Sequence, residues 1–286
     1  MTRQELQRLV ENNGFENCWP EIEIWLQREI LLTPDESKFD DSPIGGTKQG
    51  GEPDLPPGLA WPKYKRRNVP GQHNTSKPMS FLLQLRCADI KPFAPDVFPD
   101  YGLLLFFAAI EHNALVRDEN DVPIGCVLHV GGSLACVDEA ICAELVRTPF
   151  PKGLYFGNHM PPNSLKIAPS QTIGFEAFNE AIERKLGYSA ETSEKIWEFY
   201  CREIVPAGRH KMFASPSMFE LDIAEECRLL AQQNDRDANA DWHLLLEYDL
   251  ADLPIEENGR LYYMVSRDAL AAGRFGEVYI LHDEVL

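Results

Sequence analysis

The sequence predicts an α+β fold dominated by antiparallel sheet, and three observations predict it. Short apolar runs bounded by turn residues recur along the chain. Two of these runs, far apart, share one residue pattern. Amphipathic stretches at helical spacing appear only at the N-terminus and in the middle. The 286 residues are read as a single domain, 1–286, with N-terminal helices over about 1–32 and repeated units over about 78–107 and 242–282.

Thr2-Arg3-Gln4-Glu5 has capping-box spacing and opens a helix carrying Leu6, Leu9 and Val10. Pro20 starts a second short helix, with Ile22, Trp25, Leu26 and Ile30 at helical spacing. Lys38 to Pro62 is rich in Gly, Pro and Asp and reads as a long ordered loop, and Lys63 to Lys77 is polar. Phe81 to Leu85 and Leu103 to Phe107 read as strands. Cys126 to Val130 and Ser133 to Val137 read as a hairpin around Gly131-Gly132. Ser170 to Leu186 and Ser189 to Ile204 read as helices, the second with Ile196, Trp197, Tyr200 and Ile204 on one face.

The repeat aligns Ser80-Phe81-Leu82-Leu83-Gln84-Leu85-Arg86-Cys87-Ala88-Asp89-Ile90 with His243-Leu244-Leu245-Leu246-Glu247-Tyr248-Asp249-Leu250-Ala251-Asp252-Leu253. Each run leads through a Pro-containing loop to a glycine, Gly102 or Gly259, and a second apolar strand. Two copies of strand, Ala-Asp turn, loop, Gly and strand imply two related β units. Strict alternation puts Phe81, Leu83 and Leu85 on a core face, with Leu244, Leu246 and Tyr248 in the other copy. Gln84 and Glu247 then fall at equivalent positions on the half-polar face, which would either line a cleft between the units or pack on the other repeat.

Composition narrows the function. The net charge of −18 disfavours nucleic acid and anionic membrane and favours a basic partner. Seven cysteines without a C-x-x-C pair fit reduced thiols rather than a disulfide framework or zinc ribbon. No secretory h-region follows Met1, and the longest apolar run, Leu103 to Ile110, is too short to span a bilayer. The expectation is a cytoplasmic protein off the membrane.

No chemical motif survives inspection. In Gly45-Gly46-Thr47-Lys48-Gln49-Gly50-Gly51 the lysine precedes the second Gly pair and prolines follow. A phosphate loop needs the lysine after the last glycine and a helix beyond. Gly131-Gly132-Ser133 lacks the closing glycine of a nucleophile elbow, position 135 being Ala. The histidines show no H-x-x-x-H or H-x-H spacing, so no metal ligand, catalytic residue or cofactor is assigned. Lys63-Tyr64-Lys65-Arg66-Arg67 is the one dense basic run, read as a solvated loop. Between Phe219 and Asn258, twelve acids stand against Arg228 and Arg236, and Glu225, Glu226, Asp235 and Asp237 are the candidates to steer a basic protein. Gly45, Gly46, Pro53, Leu55, Pro56 and Trp61 are candidates for an ordered binding loop packed on the sheet.

These residues also carry a resemblance. Pro53 to Pro62 resembles the P-x-L-P-x-G-x-x-W-P signature of YwqG-like proteins, with Ile44-Gly45-Gly46 like the Gly-Gly before it. Pro78 to Leu85 is similar to that family's P-L-x-x-L-A-Q-I strand, and Phe98 to Phe107 to its P-x-x-G-x-L-x-F-F. Arg209 to Phe213 with Ser215-Pro216, then Glu226-Cys227, resembles its H-x-M-L-G-Y-P … E-C region, although Ala214-Ser215 replaces Gly-Tyr. The resemblance implies an α+β protein with extensive antiparallel sheet. It also implies a distant relation to ribosome-assembly factors of the programmed-cell-death-protein-two type, chaperone-like binders of a basic ribosomal protein, without their cysteine-rich zinc module. Relatives at toxin loci fit an immunity role. The expected function is a non-catalytic module capturing a basic protein, either a toxin or a ribosomal protein. The alternative is an enzyme or small-ligand binder using the cleft between the β units.

Overall fold

The computed structural model describes residues 1–39, 42–65, 76–131, 145–152, 154, 162–187, 189–205, 209–217 and 222–284. Helix α1 (Arg3–Val10) starts at the expected box, with the Thr2 hydroxyl on the Glu5 N–H and the Glu5 carboxylate on the Thr2 N–H. Helix α2 (Trp19–Glu23) begins with Pro20 in its first turn. It ends well short of Ile30, and this corrects the expected helix. Ile24 and Trp25 are exposed, and from Gln27 the chain is extended. Ladders available on both sides of this segment outweigh its local period. Helices α4 (Phe175–Leu186) and α5 (Ala190–Phe199) pack on α1 and α2 around Phe15, Phe178 and Phe199. Among the described residues the other α-helices are α3 (Cys87–Ile90), α6 (Ile223–Gln233) and α7 (Arg267–Ala271). Helix α4 begins five residues later than the sequence suggests, because Ser170 to Thr172 finish a strand paired with Gln27 to Glu29.

The strands are β1 (Gln27–Phe39), β2 (Lys48–Gln49), β3 (Asp54–Leu55), β4 (Lys63–Lys65), β5 (Ser76–Pro78), β6 (Ser80–Arg86), β7 (Leu103–Ala108) and β8 (Ile110–Glu111). They continue with β9 (Ala114–Leu115), β10 (Gly125–Val130), β11 (Val146–Arg147), β12 (Asn163–Thr172), β13 (His210–Met212), β14 (Trp242–Asp249), β15 (Arg260–Ser266) and β16 (Tyr279–Asp283). The expected loop Lys38 to Pro62 therefore holds two short strands. Strand β10 supplies the first arm of the expected hairpin, and the second, Ser133 to Val137, lies outside the described residues.

Ten strands form one antiparallel sheet in the order β10-β7-β6-β2-β12-β1-β13-β14-β15-β16. The first half of the chain supplies β1, β2, β6, β7 and β10, and the second supplies β12, β13, β14, β15 and β16. Inward from each edge come the fifth, fourth, third and second strands of one half. The first strands are exchanged: β12 pairs with β2, β1 pairs with β13, and β1 and β12 pair at the centre. The sheet curls until β7 and β15, the strands next to its two edges, touch. Tyr263 donates to the Phe107 carbonyl at 3.2 Å, and the Phe106 and Tyr263 rings meet edge to face at 5.2 Å.

The two hairpins share one register. Ser80 faces Ala108 as His243 faces Val265, and both ladders skip one residue, Leu82 and Leu245. This shared bulge corrects the strict alternation. Phe81 and Leu244 join outer clusters, while Leu82, Leu83 and Leu85, with Leu245, Leu246 and Tyr248, all enter the core shared by both halves. The repeated glycines have a matched cause. Gly102 and Gly259 hold φ of +98° and +108°, and a Cβ on either would overlap the carbonyl oxygen of Val130 or Asp283 respectively. These two carbonyls lie at corresponding ends of β10 and β16. His129 and His282 also correspond, each donating Nε2–H to the carbonyl just before the glycine, Tyr101 at 3.1 Å and Asn258 at 3.0 Å.

Candidate functional site

Each half builds a buried polar cluster on its third strand. In the first half, Lys48 on β2 stands opposite Gln84 on β6. Its ammonium donates to the Glu52 carbonyl at 2.7 Å and to Asp54 Oδ1 at 3.2 Å. Gln84 accepts from the Asp54 N–H at 2.9 Å and donates to Asp54 Oδ2 at 2.7 Å and to the Gly46 carbonyl at 2.8 Å. The Gly45 N–H and Arg147 Nε complete the shell of Asp54. In the second half, Lys211 on β13 stands opposite Glu247 on β14. It donates to the Ser215 carbonyl at 3.0 Å and lies 3.4 Å from Glu247 Oε2, which accepts from the Ser217 N–H at 2.8 Å. Arg260 Nη1 binds Glu247 Oε1 at 2.7 Å, and Nη2 lies 3.3 Å from Asp249.

The clusters are the same construction with the carboxylate moved. The first carries Asp at position 54 and Gln at position 84. The second carries Ser217 and Glu247 at the corresponding places. Each keeps one carboxylate against the lysine, as a buried cation requires. Burial raises the cost of charge on Asp54 and Glu247, yet the adjoining cations and N–H donors hold both carboxyls below their usual range. Burial pushes the Lys48 ammonium down to about 8 against the pull of Asp54. Burial raises Glu29, which stands beside Lys211 on the outer face. A cavity of about 10 Å³ lies among Glu29, Lys211, Ser217 and Arg260, room for one water, and the buried Ser217 hydroxyl has no protein partner there.

A second matched pair precedes the lysines. Thr47 Oγ accepts from the Arg86 N–H at 3.0 Å and donates to Asp89 at 2.8 Å. His210 Nδ1 accepts from the Asp249 N–H at 3.0 Å, so Nε2 carries the proton and lies 3.2 Å from Asp252. His210 stacks on Tyr248 with centroids 4.2 Å apart. Both its ring nitrogens are thus engaged in holding the fold.

Gln84 and Glu247 are fully buried, so they do not line a cleft between the units as one reading of the alternation implied. The lysines opposite them draw both inward to the clusters. The loop candidates Gly45, Gly46, Pro53, Leu55, Pro56 and Trp61 lie in a contacted stretch of chain. Gly45 and Gly46 bind Asp54 and Gln84, the Pro53 carbonyl accepts from Thr148, Leu55 is buried, and Pro56 opens a turn closed by Leu59. Trp61 donates Nε1–H to the Met79 carbonyl at 2.8 Å and packs edge to face on Phe107. The four acids divide. Glu225 and Glu226 occupy the first turn of α6, with Glu225 paired to Arg228, while Asp235 and Asp237 lie beyond its last turn. The helical stretch from Cys227 to Gln233 lies between the groups and spans about 10 Å.

Next to Asp237 an open cleft of about 410 Å³ lies between the end of α6, the start of β14 and α7. Its walls include Arg236, Asp241, Trp242 and Asp268. The sequence reading missed this cleft, whose parts come from three separated turns. It also missed the buried lysines, although a signal existed. Thr47-Lys48 to Pro53 and His210-Lys211 to Pro216 have equal spacing.

Among the described residues, no group of three His, Cys, Asp or Glu could hold a metal ion, and no helix is long and apolar enough to cross a membrane. A family model described as a domain of unknown function (DUF1963) matches residues 47–283. The match begins at Thr47, where the first cluster starts, and leaves out β1 at the centre of the sheet. No curated protein matches the chain.

Proposed function

This chain belongs to that family, and we propose that it is a non-catalytic protein-binding module that captures a basic protein, in a toxin-immunity or chaperone-like role. The observation that carries the reading is where the charge lies. Lys48, Lys211 and Arg260 are buried against Asp54, Glu247 and Asp249. These pairs take as many acids as bases out of the surface, so the net charge of −18 stays on the exposed groups. Residues 222–241 carry six acids against two arginines, and Asp235 and Asp237 are exposed beside the open cleft. The YwqG-like resemblance points the same way, toward binders of basic proteins.

The test replaces Glu225→Gln, Glu226→Gln, Asp235→Asn and Asp237→Asn together. Partner captured by the unaltered chain is then measured for association with both proteins at low and high salt. Electrostatic steering accelerates association by roughly tenfold or more and fades with screening. The variant should associate about tenfold more slowly at low salt and lose most of its salt dependence. An association rate unchanged by the substitutions and by salt would remove the acidic surface from the mechanism.

A further inference from the structure

The correspondence between the halves shows how the fold itself fills the place where the second half leaves its cleft. In the first half the chain lays a short strand across the entrance to the hairpin. Strand β4 pairs with β5, Lys63 opposite Pro78 and Lys65 opposite Ser76. The Met79 N–H donates to the Pro62 carbonyl at 2.9 Å, and Trp61 Nε1–H donates to the Met79 carbonyl at 2.8 Å. Tyr64 is buried, its hydroxyl on Glu111, and Lys77 reaches the same carboxylate at 2.7 Å.

In the second half the equivalent stretch of chain is α6. The helix covers the sheet face with Ile223, Cys227 and Leu230 but stops at Gln233. Asn239 to Trp242, the counterparts of Ser76 to Met79, are left lining the cleft. Counted along the shared register, Asp268 is the counterpart of Glu111, and it too stands in the cleft wall. Trp242 offers an indole packed on Tyr279, with centroids 5.1 Å apart. Of the cations in its wall, Arg274 already bonds Glu277 at 2.8 Å, Arg267 lies 3.7 Å from Asp241, and Arg236 donates to the Glu277 carbonyl at 3.1 Å with its guanidinium over the Tyr279 ring. Asp237 and Asp268 remain as the acids facing a ligand.

We infer that this cleft receives an extended basic and aromatic segment of a partner protein, lying across Asn239 to Trp242 as Trp61 to Lys65 lies across Ser76 to Met79. The inference rests on the protein-binding reading above and deepens it by naming the site and the segment. The first half's own occupant, Trp61-Pro62-Lys63-Tyr64-Lys65, supplies the recognition chemistry. Its lysines suit Asp237 and Asp268, its phenol suits the carboxylate of Asp268, and its aromatic faces suit Trp242.

The probe is a fluorescein-labelled synthetic peptide copying Leu59 to Lys65, read by anisotropy on the full chain. Saturable binding is expected, weakening with salt. The same peptide with glutamate in place of both lysines should bind at least about tenfold more weakly, since hydrogen bonds to charged groups carry that much. Asp237→Asn with Asp268→Asn should weaken the lysine peptide by a similar factor at an unchanged thermal midpoint. Glu191→Gln on α5, remote from the cleft, should leave binding alone. No saturable binding, equal binding of the glutamate peptide, or full binding by the double variant would each overturn the inference. A partner whose association still slows with the substitutions at Glu225, Glu226, Asp235 and Asp237 would, in that event, leave the broader binding reading standing.

Discussion

Replacing Glu247 by glutamine tests whether the two buried clusters are one construction. The substitution keeps an oxygen for the Ser217 N–H, as Gln84 provides for Asp54. It removes the carboxylate that faces Lys211 at 3.4 Å and Arg260 at 2.7 Å. Breaking a buried ion pair from one side costs about 3–5 kcal/mol, a large part of the roughly 5–15 kcal/mol that holds a domain folded. The first half indicates the remedy, because there the carboxylate sits at the position of Ser217 and an amide at that of Glu247. Ser217→Asp alone should destabilise, since it buries a second carboxylate beside Glu247. In the Glu247→Gln background the same change should restore about 2 kcal/mol or more, so the sign of its effect reverses. Urea unfolding followed by tryptophan fluorescence, across the four-member cycle, gives the coupling directly. If Ser217→Asp destabilises both backgrounds alike, the correspondence between the clusters is geometric only and the charge argument fails.

Gly259→Ala should cost about 1–3 kcal/mol from its φ alone, and more as Asp283 is displaced. Gly14→Ala, at φ +89° with nothing near its Cβ site, should cost less, and equal urea midpoints for the two would contradict the close-approach argument. Burial lowers the imidazoles of His129 and His282. Below about pH 6.5 the unfolded chain therefore binds more protons at these sites than the folded one, and stability falls as pH falls. His282 sits beside Arg117, Glu257 and Glu284, and His129 beside Phe275. The loss in urea midpoint between about pH 7.5 and 5.5 should shrink in a His129→Gln, His282→Gln double variant. An unchanged loss would place the sensitive groups elsewhere.

Sequence alone determined the local parts of this protein. The Ala-Asp turns, the paired glycines and the apolar runs are local signals, because turn chemistry and the sheet's demand for short apolar strands act within a few residues. The capping box at Thr2 is legible for the same reason. The equal spacing from Lys48 to Pro53 and from Lys211 to Pro216 was also present, though nothing local shows that a lysine in such a stretch is buried. Tertiary structure decided the rest. Ile30 lies in a strand because β12 and β13 stand on either side of it, and pairing partners as distant as Pro169 and Met212 leave no local trace. Gln84 and Glu247 face buried lysines rather than a cleft because β2 and β13 set Lys48 and Lys211 directly opposite them, while the bulges at Leu82 and Leu245 move Phe81 and Leu244 off the core face. The exchange of β1 and β12 between the halves follows from which edges meet, and only the folded sheet brings those edges together.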